Sequence, residues 1–303
     1  MIMLLLLFFI LIIYYIILYM NYYQNDNFIN LKTQIGNYTC WYFTKMGISF
    51  YYNEDFYNDN KDEITVNDNK LPDFIPVNNI IHEELQIIPQ EKIVKFKDRI
   101  REHQWCTWYI DDNDLNLFWL ILKPTINTIL NKFFINAKLN FDIKHPIIHF
   151  RCSDVPFVRS DHYKISKLEF YYKNIIKLAP DTKEIYICYD NNHNSNDENK
   201  IICNFIYTLI EKYFYERNIK IINISKSSIE DFANIFYAPI VISSGGSFSF
   251  MSGFFGNGKF ISASHDYKNC NECYWIDSSY EINHVEINSY YNLEEIEKKL
   301  YNI

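Results

Sequence analysis

The chain has 303 residues, 49% of them apolar or aromatic, and a formal net charge of -8. Its 18% aromatic content supplies ample surface to bury, which excludes a disordered chain. The acidic balance excludes a sequence-independent binder of nucleic-acid phosphates.

Residues 1–20, MIMLLLLFFILIIYYIILYM, are an uninterrupted apolar run. As a helix such a run is about 30 Å long, close to the hydrocarbon thickness of a bilayer. A cleaved signal peptide has a basic start, a shorter apolar core and small residues at the cut. None of these is present, and Tyr22 and Tyr23 sit where an interfacial aromatic belt belongs. The run therefore reads as an uncleaved transmembrane anchor. The first basic residue is Lys32, so charge gives little orientation. The chain beyond the run is long enough for one large domain or two small ones.

Residues 21–70 read as a stem and loop, the part from 51 being acidic, Asn-rich and aperiodic. Residues 71–143 mix short apolar runs with helix-like stretches and are expected to form a separate N-terminal unit. Asn37-Tyr38-Thr39 and Asn223-Ile224-Ser225 are glycosylation sequons, which an Asn-rich chain also produces by chance. Seven cysteines are too few for a disulfide scaffold, and the lone Cys270-x-x-Cys273 pair suits a disulfide or free thiols better than zinc.

From residue 144 the pattern becomes regular. Apolar strands are expected at 146–150, 184–189, 219–224, 239–242 and 259–262. Helical faces lie between them, at Ile165, Leu168, Tyr172 and Ile175, and at Ile202, Phe205, Ile206, Leu209 and Tyr213. A third carries Ile229, Phe232, Ala233 and Phe236 behind a capping box, Ser227-x-x-Glu230. Another helix opens near Ser247, and residues 292–302 close the chain with a last one. Strand and helix in repeated alternation mean a parallel sheet covered on both faces, with ligands bound beyond the carboxyl ends of its strands. That geometry gathers Arg151, Asp154, Asp190, Ser225 and residues 243–249 on one rim.

Arg151 is one of five arginines in the chain, and a guanidinium at a strand end, with an acid three residues on, suits a diphosphate. A structural Arg–Asp pair is the alternative. Ser243-Ser244-Gly245-Gly246-Ser247-Phe248-Ser249 joins a strand to a helix, where backbone N–H groups reach an anion, although strand-to-helix turns are also small for steric reasons. Asp190 suits a ribose or base, or a cap. Asp231 lies in a capped first turn, where the helix dipole alone explains it. His149 is placed in a sheet by alternation, as a ligand contact or a core histidine.

HFRCSD at 149–154, IYICYD at 185–190 and EDFANIFYAPIVISSGGSFSF at 230–250 resemble, in order and spacing, the GDP-fucose-dependent fucosyltransferases of the α1,2, α1,6 and protein O-fucosyltransferase group. The resemblance covers about 144–263. It implies an α/β, GT-B-like fold: a C-terminal Rossmann-type nucleotide-sugar domain at 144–303, an α/β acceptor-side domain at 71–143 and a Golgi- or ER-type single anchor. It also implies an inverting glycosyltransferase that needs no metal or other cofactor, takes GDP-fucose or another nucleotide sugar, and modifies a glycan or protein hydroxyl. Arg151 would hold the leaving β-phosphate, Asp154 would act as base or orient Arg151, and His149, Asp190, Asp231, Ser247, Phe248 and Ser249 would bind the donor. The family's second motif arginine is Cys152 here, which opens the alternatives of a different sugar donor or an inactive, glycan- or partner-binding relative.

Overall fold

Five short apolar runs, each followed by a helical stripe, satisfy their backbones by pairing side by side and their apolar faces by accepting helices above and below. The computed structural model of the chain describes residues 35–58, 64–101, 113–152, 165–190, 197–262, 284–285 and 292–301. The expected anchor at 1–20, with Asp154, Arg159, Cys106, Cys270 and Cys273, lies outside them. No helix among the described residues is long and apolar enough to cross a membrane.

The first element is α1 (Ile35–Tyr51), in which 13 of 17 residues are buried. Then come the two-residue strands β1 (Phe56–Tyr57), β2 (Thr65–Val66), β3 (Asn69–Lys70) and β4 (Phe74–Ile75), followed by α2 (Asn79–Leu85), α3 (Gln90–Arg101) and α4 (Asn113–Asn136). β1 pairs with β4, and β2 with β3, both antiparallel. The stretch expected as stem and loop thus contributes a core helix, together with buried Phe56, Ile64 and Val66. A helix buried on nearly every side has no polar face, so it shows no amphipathic stripe in the sequence.

The regular part follows the expected spacing closely. Its elements are β5 (Ile147–Arg151), β6 (Ile165–Ser166), α5 (Leu168–Leu178), β7 (Glu184–Asp190), α6 (Asp197–Tyr215), β8 (Lys220–Asn223), α7 (Ser228–Tyr237) and β9 (Ile240–Ser243). After these come α8 (Ser247–Ser249), which runs into a π-helical segment at Phe250–Phe254, then β10 (Lys259–Ser262), β11 (His284–Val285) and α9 (Leu293–Tyr301). Of the expected capping box the N-cap half forms at α7: the Ser227 hydroxyl accepts from the Glu230 N–H, while the Glu230 carboxylate accepts from that hydroxyl at 2.7 Å.

Five strands form one parallel sheet in the order β10-β9-β5-β7-β8. The chain builds outward from the central β5 through β7 to β8, then crosses back to lay β9 and β10 on the other side. This is a 3-2-1-4-5 order, five strands of the Rossmann-type order 3-2-1-4-5-6, and the point of reversal lies between β5 and β9. α5, α6 and α9 pack one face around Ile148, Phe150, Ile187, Ile206 and Phe214. The other face carries α7 and the 247–254 helix, and α1 and α4 join it in one continuous core. Trp119 of α4 meets the Phe255 ring at 5.5 Å, and Gly47 of α1 lies against Phe118 and Leu122. The described residues of 71–136 therefore share their core with the sheet, and contain three helices and a single two-residue strand.

Candidate functional site

At the reversal point the strand ends are held unequally. β5 pairs with β7 as far as Arg151 opposite Asp190, but with β9 only as far as His149 opposite Ser243. Arg151 therefore projects past the last rung on the β9 side. Ser244 fills the gap: its N–H donates to the His149 carbonyl at 3.1 Å, and its hydroxyl accepts from the Arg151 N–H at 2.7 Å.

Beyond Ser244 the chain turns through Gly245 and Gly246, at φ 108° and 101°. Gly246 combines that φ with ψ 153°, a region that only glycine enters readily. A Cβ there would lie 2.8 Å from the Arg151 Nη1, so the missing side chain leaves room for the guanidinium. The turn is braced from behind. The Gly245 N–H donates to the Ser243 hydroxyl at 2.9 Å, and the Ser249 hydroxyl lies 2.6 Å from that of Ser243. It also reaches the Gly245 and Gly246 carbonyls at 3.1 and 3.2 Å.

The expected donor-binding residues consequently take different parts. Ser249 is 0% exposed, so its hydroxyl shapes the turn and is not presented to a ligand. Ser247 donates its hydroxyl to Asn37 Oδ1 at 2.5 Å. Phe248 stacks on the His149 ring at 5.5 Å and meets Phe232 edge-on. His149 is kept neutral, its pKa lowered to about 3 by burial and then by the Arg151 charge. It therefore adds a neutral imidazole, and no second cation, beside Arg151. Asp190 sits at the rim by its backbone register with Arg151.

Asp231 is 8% exposed and accepts the Lys226 N–H at 3.1 Å, holding the β8–α7 connection. Its charge, after burial, raises the Cys188 thiol pKa. Ser225, on the same rim, accepts the Tyr189 N–H at 2.6 Å. Arg151, Gly245, Gly246, Ser247, Phe248 and His149 do come together, and Asp154 lies outside the described residues.

Two features went unread in the sequence. The start of α1 reaches the turn: a Cβ on Gly36 would lie 2.5 Å from the Phe248 backbone. The Asn37 sequon is thus part of this contact, and its Thr39 is buried with its hydroxyl on the Ile35 carbonyl at 2.9 Å. A Gly-Asn step at the head of an apolar run was the available signal. The other is a disulfide between Cys152, directly after Arg151, and Cys203 of α6. Cys40 and Cys188 are buried thiols.

Among the described residues no group of three or more His, Cys, Asp or Glu side chains is placed to hold a metal ion. A surface concavity lined by Asn131, Asn140, Phe141 and Tyr237 lies at the amino ends of the strands, away from this site. No protein-family model, curated protein or solved structure matches the chain.

The chemistry open to this arrangement comes from its parts. A buried glycine turn and the start of a short helix lie at the carboxyl ends of the parallel strands, where helix starts can meet an anion. The Arg151 guanidinium lies beside Gly246, next to the stacked His149–Phe248 pair. Such a site suits the phosphates of a nucleotide and stabilises negative charge that develops on them.

Proposed function

We propose that the chain is a membrane-anchored, metal-independent, inverting glycosyltransferase that takes a nucleotide sugar, GDP-fucose foremost, and glycosylates a glycan or protein hydroxyl. The observation that carries this reading is the Arg151 guanidinium against Gly246 at the reversal point between β5 and β9. Open parallel sheets bind nucleotides at that point, beyond the carboxyl ends of the strands. Of the fucosyltransferase-like motifs, Arg151 and residues 243–249 lie on this rim, and the resemblance supplies the donor class. In this reading the acceptor hydroxyl displaces the diphosphate at the anomeric carbon. Arg151 then stabilises the leaving group electrostatically, a contribution that is large where water is excluded. The GT-B arrangement, the Golgi- or ER-type location and the anchoring role of residues 1–20 belong to the same proposal.

One observation favours a second donor within the same class. Cys152, at the position of the family's second arginine, is engaged in a disulfide, so that position supplies no charge. A nucleotide sugar that needs a single guanidinium fits this site as well as GDP-fucose does. The test presents the purified full-length chain in detergent with a panel of nucleotide sugars, with Arg151→Ala as control. Binding or hydrolysis of one donor, weakened about tenfold or more in Arg151→Ala, is the expected result. No bound donor, or an Arg151→Ala variant that matches wild type, rejects the proposal.

A further inference from the structure

We infer that the Cys152–Cys203 disulfide, together with Ser244, is a positioning clamp for Arg151. The inference rests on the reading of the turn after β9 as a phosphate site. Arg151 lies past the last β5–β9 rung and keeps a ladder partner only on the β7 side. Two devices on either side of it make up for the missing rung. Ser244 bridges the His149 carbonyl and the Arg151 N–H, at 3.2 and 2.7 Å. The following residue, Cys152, is bonded covalently to α6, a 19-residue helix packed on the sheet.

Strand alternation gives the bond its direction. Phe150 and Cys152 face the core under α5 and α6, and Cys152 and Cys203 are both 0% exposed. His149 and Arg151 face the opposite side, toward Phe248 and Gly246. The disulfide therefore fixes the backbone from behind and leaves the guanidinium facing the turn. Little misplacement is tolerable, because the Arg151 Nη1 already fills the space that a Cβ on Gly246 would need. A misplacement of about 1 Å can cost on the order of 100-fold in the rate of a positioned reaction. Burial shields the bond from thiol attack, since exchange requires access to a sulfur, so it acts as a fixed brace.

The test compares the full-length chain with Cys152→Ala/Cys203→Ala, each with and without Arg151→Ala, using GDP as the probe. Amide hydrogen exchange over 147–152 and GDP affinity are the two readouts. A clamp gives at least tenfold faster exchange at 147–152 with exchange at 259–262 unchanged. It also gives at least tenfold weaker GDP binding in the Arg151 background, and no further weakening once Arg151 is alanine. A merely structural bond weakens both backgrounds equally, and that result overturns the inference, as does affinity within twofold of wild type. If the double alanine variant does not fold, Cys152→Val/Cys203→Ala, which keeps more of the buried volume, takes its place under the same criteria. A wild-type chain that binds no GDP overturns both the site reading and the clamp. Wild-type binding left intact without the bridge overturns the clamp alone.

Discussion

Gly246→Ala is the substitution whose consequences the site geometry determines most fully. At φ 101° and ψ 153° the backbone occupies a region reserved for glycine, so any side chain adds about 1–3 kcal/mol of strain. The new methyl would also lie 2.8 Å from the Arg151 Nη1. That atom is the far end of a flexible side chain, so the collision costs little stability but moves the guanidinium. Hydrogen bonds from a charged donor are worth about 1.5–3 kcal/mol, so displacing the guanidinium weakens nucleotide diphosphate binding roughly 10- to 150-fold. Chemical denaturation reads the strain, and titration calorimetry with GDP under conditions where all variants are folded reads the displacement. The decisive comparison is the double variant with Arg151→Ala. Acting through the guanidinium, Gly246→Ala should add strain but no further loss of binding once Arg151 is removed. Additive binding losses, or wild-type affinity in Gly246→Ala, would refute the reasoning.

Ser249→Ala removes a fully buried hydroxyl from Ser243 and should lower stability by about 1–3 kcal/mol. GDP affinity of the folded fraction should stay within twofold, and calorimetry showing a larger loss would return Ser249 to the ligand. Gly36→Ala drives a Cβ into the Phe248 backbone, which has no flexible end to yield, and should cost about 1–3 kcal/mol in urea denaturation. A neutral result would mean that α1 does not pack closely on the turn. His149 titrates near pH 6.5 when unfolded and near 3 when folded, so the unfolded chain binds the extra proton between those values. That part of the stability is complete above pH 6.5 and is lost as pH falls, amounting to about 2 kcal/mol at pH 5. His149→Asn should remove this component, and an unchanged difference between pH 7 and pH 5 in urea denaturation would contradict it.

The parallel sheet was legible because its strands are short, buried on both faces and separated by amphipathic helices, as the stripe of Ile229, Phe232 and Phe236 illustrates. Strand order was not legible, since periodicity carries no information about which neighbour a strand chooses. The rim residues could be named because parallel strands point their carboxyl ends one way. Their individual roles could not be. Ser247, Ser249 and Asp231 are the residue types expected around a phosphate or a nucleoside, and the same hydroxyl and carboxylate chemistry serves equally to close a turn. α1 was missed for the opposite reason: Thr39 and Thr44 satisfy their hydroxyls on its own carbonyls, which lets polar residues sit in a core without a visible stripe. The Cys152–Cys203 pairing joins a strand end to a helix across 51 residues, a distance at which spacing carries no signal.

The contact between Asn37 and Ser247 spans 210 positions of the chain. Contacts so distant in sequence form late, because the closure of a long loop precedes their reward. Residues 35–51 are made early during synthesis, yet their apolar surface finds its final partners only when the segment around 247–255 has emerged. Until then Gly36 and Asn37, at the head of that helix, lack the turn they pack against. A chain cut before residue 247 would therefore lose more than the glycine turn. It would also remove the seat that Gly36 and Asn37 of its first helix find on that turn.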